Sequence, residues 1–328
     1  AAPGGRGAEA AGRAERRTAH AVTAGPTTRF APAPTGYLHL GHLVNAIHVW
    51  GIARARGGAV VLRIEDHDRG RSRPEYEAAL LDDLDWLGLE ADRGSTTEFR
   101  VGSSPLRQSD NATRYHAALD SLRSAGHQLY GCDCSRKDLA REGGDEPDHH
   151  TCYGGRCRDR GLEPGPGVGI RLVIENRPES FTDLIRGPQR QRPALQCGDP
   201  LLRDRLGNWT YQFCVVVDDL EQGVDLIIRG EDLLESTGRQ LMLARMLGRA
   251  APPRFAHHSL IRHPDGAKLS KANHDTSLRE LRAAGQTAAD LLGRAANLAG
   301  LMPDARPLAP GALAPLFRAP LRFEHTML

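Results

Sequence analysis

Apolar residues fall at helical spacing early in the chain. Leu43, Ala46, Ile47, Trp50 and Ala53 recur at i, i+3, i+4, i+7 and i+10, which predicts a helix from about Gly41 to Arg56, ended by Gly57-Gly58. A short strand over Thr28 to Ala31 precedes it, across a loop broken by Pro32, Pro34 and Gly36. The run Ala59 to Ile64 predicts a buried strand after it. A strand-helix-strand unit of this kind starts a parallel sheet with nucleotide-binding potential. Pro74 opens a second helix that ends at Gly88, and a third covers Ala112 to Ser124. Gly169 to Ile174, Phe213 to Val217 and Val224 to Ile228 read as strands, and Glu235 to Leu247 as a helix. Beyond Pro252-Pro253 the chain reads as a loop carrying His263 to Lys271. Helices follow to about Gly300, and then a Pro-rich tail.

The stretch Gly131 to about Arg160 has little periodicity and is rich in Cys, Gly and Asp, so something other than an apolar core must hold it. Four of the six Cys lie there, at 132, 134, 152 and 157. Such clustering favours metal over a general disulfide framework. Two thiolates at Cys132 and Cys134 and a third at Cys157 suit tetrahedral zinc with a fourth ligand. Cys152, His149, His150 and Tyr153 are the nearby candidates for that place. Cys197 and Cys214 read as ordinary thiols.

The chain has 328 residues, 26% charged and 40% hydrophobic, with a net charge of +2. This is the balance of a soluble globular protein, and bulk charge makes no case for nucleic acid. No apolar run approaches the roughly 20 residues of a membrane span. The first 28 residues, rich in Ala, Gly and Arg, read as a disordered tail, and the expected location is the cytoplasm. Of 43 Lys and Arg residues only Lys137, Lys268 and Lys271 are Lys. Where lysine survives such a bias, the site has use for a compact, mobile charge.

Two segments carry phosphate chemistry. Pro32 to His42 runs from a strand into a helix N-terminus, where backbone N–H groups favour anions. His39 and His42 can both face phosphate from the first turn, and Gly41 lets a purine or ribose approach the backbone. Far downstream, Gly266-Ala-Lys268-Leu-Ser270-Lys271 offers two ammonium groups and a hydroxyl, suited to charge building on departing pyrophosphate.

Together the two segments resemble the HIGH and KMSKS signatures of class I aminoacyl-tRNA synthetases. Arg29 to Gly36, Arg63-Ile-Glu-Asp66 with Asp68, Asp218-Asp219 and Ile228-Arg-Gly-Glu-Asp232 resemble the glutamyl branch, over about Thr28 to Gly300. The resemblance implies an α/β fold: a class I synthetase Rossmann-type parallel sheet with a small zinc-binding insertion and a C-terminal helical subdomain. The expected layout is a disordered tail (1–28), the first Rossmann half (29–130), the zinc insertion (131–185), the second half (186–245), the KMSKS loop with a helical subdomain (246–300), and the Pro-rich tail (301–328).

The resemblance implies ATP with Mg2+ and L-glutamate as substrates. His39, His42, Lys268 and Lys271 are the expected catalytic residues, with His39, Gly41, His42 and Lys271 at ATP. A dicarboxylic amino acid needs cations for its carboxylates and an acid for its ammonium. Arg29 suits a bidentate grip on a carboxylate, Glu65 suits the ammonium, and Arg229 and Tyr211 supply further donors. The family often has Ser or Thr where this chain has Ala33, so affinity is expected to be altered and activity kept. Resemblance to tRNA-modifying members points to Tyr153 as the fourth ligand of one structural Zn2+, beside Cys132, Cys134 and Cys157.

Only 57 residues follow Lys271, too few for a helical anticodon-binding domain. This arrangement is most similar to the glutamyl-queuosine tRNA(Asp) synthetases, which make glutamyl-AMP and pass glutamate to queuosine in the anticodon loop of tRNA(Asp). The alternatives are a truncated glutamyl-tRNA synthetase that charges the acceptor end and a catalytically silent tRNA-binding paralogue. A monomer is expected.

Overall fold

A computed structural model describes residues 25–135, 137–139, 152–163, 165–261 and 276–324. In chain order, β1 (Thr27–Phe30), α1 (Leu40–Ala55) and β2 (Ala59–Leu62) form the expected unit, with the strands parallel and Thr27 opposite Ala59. Ile47, Val49 and Ile52 of α1 are fully buried, because later elements cover the helix on the side away from the sheet. α2 (Pro74–Leu87) starts on its proline and stops where Gly88 turns left-handed at φ 67°. α3 (Thr96–Val101) and α4 (Ala112–Ser124) follow.

β3 (Leu129–Cys132) and β4 (Gly169–Leu172) pair antiparallel. Next come the hairpin β5 (Glu179–Asp183) and β6 (Gly187–Gln191), the single turn α5 (Pro193–Gln196), and β7 (Leu201–Arg203), which joins β4 in the small antiparallel sheet. α6 (Tyr211–Glu221), β8 (Leu226–Gly230), α7 (Thr237–Met246) and β9 (Arg254–His258) complete the main sheet. In it β9 lies between β8 and β5 and is parallel to both, with β6 antiparallel at the edge. β1 lies against β8: the Asp225 N–H donates to the Thr27 carbonyl at 3.0 Å, and the Thr27 N–H to Asp225 Oδ1 at 2.8 Å. α8 (Leu278–Ala283) and α9 (Ala288–Leu298) close the helical part.

Four expectations are corrected. Phe213 to Val217 is the middle of α6, not a strand. Its valines are buried on every side by a separate apolar cluster, so no period shows, and packing overrides β-branched preference. Arg254 to His258, taken as loop after the two prolines, is β9. The segment 301–324 is no loose tail. Leu308, Leu313 and Phe317 are buried, Arg56 pairs with Glu324, and the Phe323 N–H donates to the Leu184 carbonyl at 3.0 Å. The Phe317 ring lies on Gly51 of α1, so close that a Cβ there would come within 2.3 Å of it. The disordered tail was expected to reach residue 28, but Thr27 and Thr28 belong to β1; residues 1–24 lie outside the described residues. No helix among those described is long and apolar enough to cross a membrane.

Phe317→Ala should therefore lower stability by about 3–5 kcal/mol, the usual cost of emptying a buried aromatic site. A urea midpoint within error of the parent would show that the C-terminal segment contributes nothing to the core.

Candidate active site and metal centre

His39 caps α1, and its ring occupies the place that sequence reasoning gave to a ligand over Gly41. A Cβ on Gly41 would meet His39 Cε1 at 2.9 Å. The glycine is needed for the capping ring first. His39 Nδ1 accepts from the Gly41 N–H at 3.1 Å, and His42 Nδ1 accepts from the His39 N–H at 3.2 Å. With each Nδ1 used as an acceptor, each ring carries its proton on Nε2. The rings lie with centroids 4.0 Å apart. The helix start thus holds two imidazole N–H donors at the positive end of the helix dipole, an arrangement suited to phosphate oxygens.

At the carboxyl ends of β1, β2 and β8 lies a buried set of charges. Arg63 is wholly buried. Its Nη2 donates to Glu65 Oε1 at 2.8 Å and its Nη1 to Asp219 Oδ1 at 2.7 Å and Gln222 Oε1 at 2.9 Å. Asp219 also accepts from Arg29 Nε at 3.2 Å, while Arg29 Nη1 donates to the Ile228 carbonyl at 3.2 Å. Burial alone would raise the Asp219 carboxyl, but Arg63 and Arg29 outweigh it and hold it low. Asp218 is tied by Arg114, Gln108 and Tyr115, and Asp66 by the Ser109 N–H. Arg29 was expected to make a bidentate grip on a carboxylate. Two of its nitrogens instead hold Asp219 and the β8 backbone.

Arg229 differs from the other two arginines. It is buried, and its partners are all neutral: His257 Nε2 at 2.9 Å, Gln240 Oε1 at 2.6 Å, Thr237 Oγ1 at 2.9 Å and the Leu233 carbonyl at 3.3 Å. Among the described residues no carboxylate pairs with it. Burial pulls its guanidinium below the usual arginine range. Arginine can only donate, so His257 Nε2 must accept, and the His257 proton sits on Nδ1 against Asp183 Oδ2 at 2.6 Å. Tyr211, at the start of α6, belongs to the same neighbourhood. Burial raises its hydroxyl, Glu65 adds to the rise, and Arg229 and Arg29 oppose it. Ala33 lies in the turn beside Glu65, whose N–H donates to the Pro32 carbonyl at 3.1 Å.

Lys268 and Lys271 fall outside the described residues, but both ends of their segment are placed. On one side His258 stacks on His48 of α1 at 4.4 Å and lies 3.2 Å from the Asn45 side-chain amide. On the other, Ser277 bridges His39, and the Leu278 N–H donates to the Leu38 carbonyl at 2.8 Å.

The second cluster lies on the small antiparallel sheet. Cys132, Cys134 and Cys157 have sulfurs within 4.8 Å of one another. Cys134 and Cys157 sulfurs are 3.5 Å apart, and Tyr153 Oη is 3.6 Å from Cys132 Sγ. Ligand atoms around tetrahedral zinc, with Zn–S near 2.3 Å, lie about 3.8 Å apart, so this donor set fits that ion. Cys152 is exposed and points elsewhere, its thiol donating to the Ala194 carbonyl at 3.4 Å. His149 and His150 lie outside the described residues. Arg171 covers the cluster. Its Cζ sits 3.6 Å from the Tyr153 ring centroid and its Nε donates to Cys132 Sγ at 3.2 Å. Burial and the Cys157 thiol push Cys134 up to about 12, whereas Arg171 and its neighbours outweigh burial at Cys132 and bring it down.

The catalytic-domain family of class I tRNA synthetases (E and Q) matches residues 27–303. The chain belongs to that family. Within it, the chain is 40% identical over 299 residues to a glutamyl-Q tRNA(Asp) synthetase of Symbiobacterium thermophilum, spanning 88% of this chain and 91% of the relative. A second glutamyl-Q tRNA(Asp) synthetase, from Nitratidesulfovibrio vulgaris, is also 40% identical, over 86% and 89% of the two chains. A glutamate–tRNA ligase 2 of Syntrophus aciditrophicus reaches 40% as well, but only 59% of its length is covered. Among solved structures, a glutamate tRNA ligase from Elizabethkingia meningosepticum in complex with its amino acid superposes with TM-score 0.72 at 25% identity, over 90% of this chain and 66% of that one. The class I synthetase fold expected from the sequence is thereby established.

In this synthetase domain the reading of single residues found the charged ends of the strands and missed what holds them. Asp219 and Arg63 were quoted only as marks of the glutamyl branch. Two acids directly after a Val-rich run were a usable signal of buried partners. Nothing in the sequence marked Asp183, His257 or Gln240, which come from three distant elements.

Burial lowers His257 from an ordinary 6.5 to about 4, and burial with the neighbouring His258 lowers His48 to about 3. Both values are depressed on folding, so the unfolded chain takes up protons first. Stability should be complete above about pH 6.5 and fall as pH drops from there. The His257 share amounts to about 3 kcal/mol at pH 4. A melting temperature flat between pH 7 and 4 would exclude this.

Proposed function

We propose that the enzyme activates L-glutamate with ATP as glutamyl-AMP, without needing tRNA, and transfers the glutamyl group to queuosine in the anticodon loop of tRNA(Asp). The observation that carries the amino-acid assignment is Arg229, a buried guanidinium with neutral partners only. Such a site is completed by an anionic ligand, and a side-chain carboxylate reaching it beside the Tyr211 hydroxyl supplies the missing charge. The acceptor assignment is supported by relatives that the chain matches over nearly their whole length and whose names give tRNA(Asp) as the substrate.

In this reading Glu65, steadied by Arg63, receives the α-ammonium, and the remaining edge of Arg29 faces the α-carboxylate. Ala33 contributes only backbone there. An α-carboxylate oxygen attacks the α-phosphorus of ATP in line, and the bond to the β-phosphate breaks. The Nε2 protons of His39 and His42, the α1 N-terminus and the two lysines Lys268 and Lys271 stabilise the charge that spreads over the leaving pyrophosphate. Mg2+ would accompany ATP and would supply further positive charge to its phosphates. A ring hydroxyl of queuosine then attacks the mixed anhydride, AMP departs, and the hydroxyl proton is lost to solvent or to phosphate. Cys132, Cys134, Tyr153 and Cys157 would hold one structural Zn2+, which fixes the insertion in place of an apolar core. The enzyme is read as a cytoplasmic monomer.

Glutamate-dependent ATP–pyrophosphate exchange should proceed without tRNA. Exchange only with tRNA would favour a synthetase that charges the acceptor end, and no exchange would remove the activation reading altogether. Arg229→Gln should raise KM for glutamate by about 30-fold or more, in keeping with loss of a buried charge partner, with little change in KM for ATP. For the metal, Tyr153→Phe should weaken zinc retention against a chelator while Cys152→Ser leaves it intact. The opposite ranking would make Cys152 the fourth ligand.

A further inference from the structure

Cys152 and Cys197 stand 45 positions apart; in the sequence Cys152 reads as a rival for the fourth zinc place and Cys197 as an ordinary thiol. The structure brings their backbones together. Tyr153 and Gly198 form a parallel bridge, with the Tyr153 N–H donating to the Cys197 carbonyl at 3.1 Å. The approach is tight: a Cβ on Gly198, which sits at φ 62°, would come within 1.9 Å of the Tyr153 carbonyl oxygen. One residue before the bridge on each segment stand Cys152 and Cys197. The hydrogen bond from the residue after Cys152 to the carbonyl of Cys197 itself joins the two backbones directly, and a disulfide needs its Cα atoms roughly 4.4–6.8 Å apart.

The thiols also face one acceptor surface. The Cys152 thiol donates to the Ala194 carbonyl at 3.4 Å and the Cys197 thiol to the Pro193 carbonyl at 3.1 Å, successive carbonyls of the single turn α5. Cys152 is exposed and Cys197 half-buried, so a soluble oxidant reaches the first and not easily the second. Burial pushes the Cys197 thiol up, Arg239 opposes it, and Cys152 adds to the rise, in keeping with their nearness.

We infer that Cys152 and Cys197 are a dithiol that closes to an intramolecular disulfide on reaction with low-molecular-weight disulfides, while the neighbouring three-cysteine cluster is left intact. In the first step the Cys152 thiolate attacks one sulfur of the oxidant, the S–S bond breaks, and one thiol leaves. In the second, Cys197 attacks the Cys152 sulfur of the mixed disulfide and expels the second thiol. The protein loses two hydrogens and two electrons, and the oxidant is reduced to two thiols that carry them. Tyr153 follows Cys152 directly, so the closed form fastens the strand that presents its phenol to the cluster. The inference does not depend on the identity of the amino acid or the tRNA.

The test is incubation of the full-length, zinc-loaded protein with oxidised glutathione, followed by non-reducing peptide mass analysis and zinc quantification. A crosslink between the peptides holding Cys152 and Cys197 is expected, with zinc retained. Cys197→Ser should stop at a mixed disulfide on Cys152, and Cys152→Ser should give neither product. The inference is overturned if the parent protein also stops at the mixed disulfide or does not react. It is equally overturned if Cys152 joins Cys132, Cys134 or Cys157, or if zinc leaves in step with oxidation.

Discussion

The Arg63 guanidinium is sealed from water and shared between Glu65 and Asp219, and the catalytic edge of the sheet is arranged around it. Asp219 in turn holds Arg29, and Arg29 reaches the backbone of β8. One fork therefore ties together the ends of β2, β1 and α6, and through Arg29 it fixes β8. Removing one member of a buried ionic set leaves the others uncompensated, at a typical cost of about 3–5 kcal/mol. Lysine could not replace Arg63, because a single ammonium cannot present three nitrogens in a plane to two acids and an amide at once. A chain that has exchanged nearly all its lysines for arginines meets no conflict here.

A second set of interactions works in the opposite sense. Around Arg63 the charges are matched, and the result is rigidity. Around Arg229 they are left unmatched, which is the ground for the proposed carboxylate site. His257 takes part only in its neutral form, with its proton turned toward Asp183, since a second proton would face the Arg229 N–H. Asp183, in β5, thus controls the orientation of a hydrogen-bond acceptor for an arginine in β8, through a histidine in β9. The central position of β9 explains why a strand of five residues matters so much to the site.

Legibility in the sequence followed the kind of force involved. The strand-helix-strand opening, the Pro74 start and the Gly88 stop rest on local periodicity and backbone chemistry, and these are visible in one dimension. The helix α6 was misread because a segment buried on all sides has no polar face to reveal its period. β9 was hidden by the two prolines before it and by histidines whose partners are remote. The C-terminal segment looked loose because its few apolar residues are spaced irregularly. They fit one groove along α1, and Gly51 makes room for the Phe317 ring. At the site, charged residue types at strand ends were legible, while the acids and amides that hold them were not. The thiols of the antiparallel sheet were grouped correctly by spacing. The nearness of Cys197 to Cys152 depends on a parallel bridge that no local pattern announces.

α1 carries a further consequence. Its cap is His39 and its first turn holds His42; Asn45 and His48, further along, contact His258 where the chain leaves β9, and His39 itself is bridged by Ser277 where the chain returns. The two signature motifs are far apart in sequence, yet the segment bearing the lysines is hung at both ends from the helix that bears the histidines. Such a mounting makes one helix the common frame of reference for both halves of the proposed phosphate chemistry. A drift of the sheet beneath α1 would carry donors and tether together, so alignment between them is a local property of that helix and is insulated from strain elsewhere in the molecule.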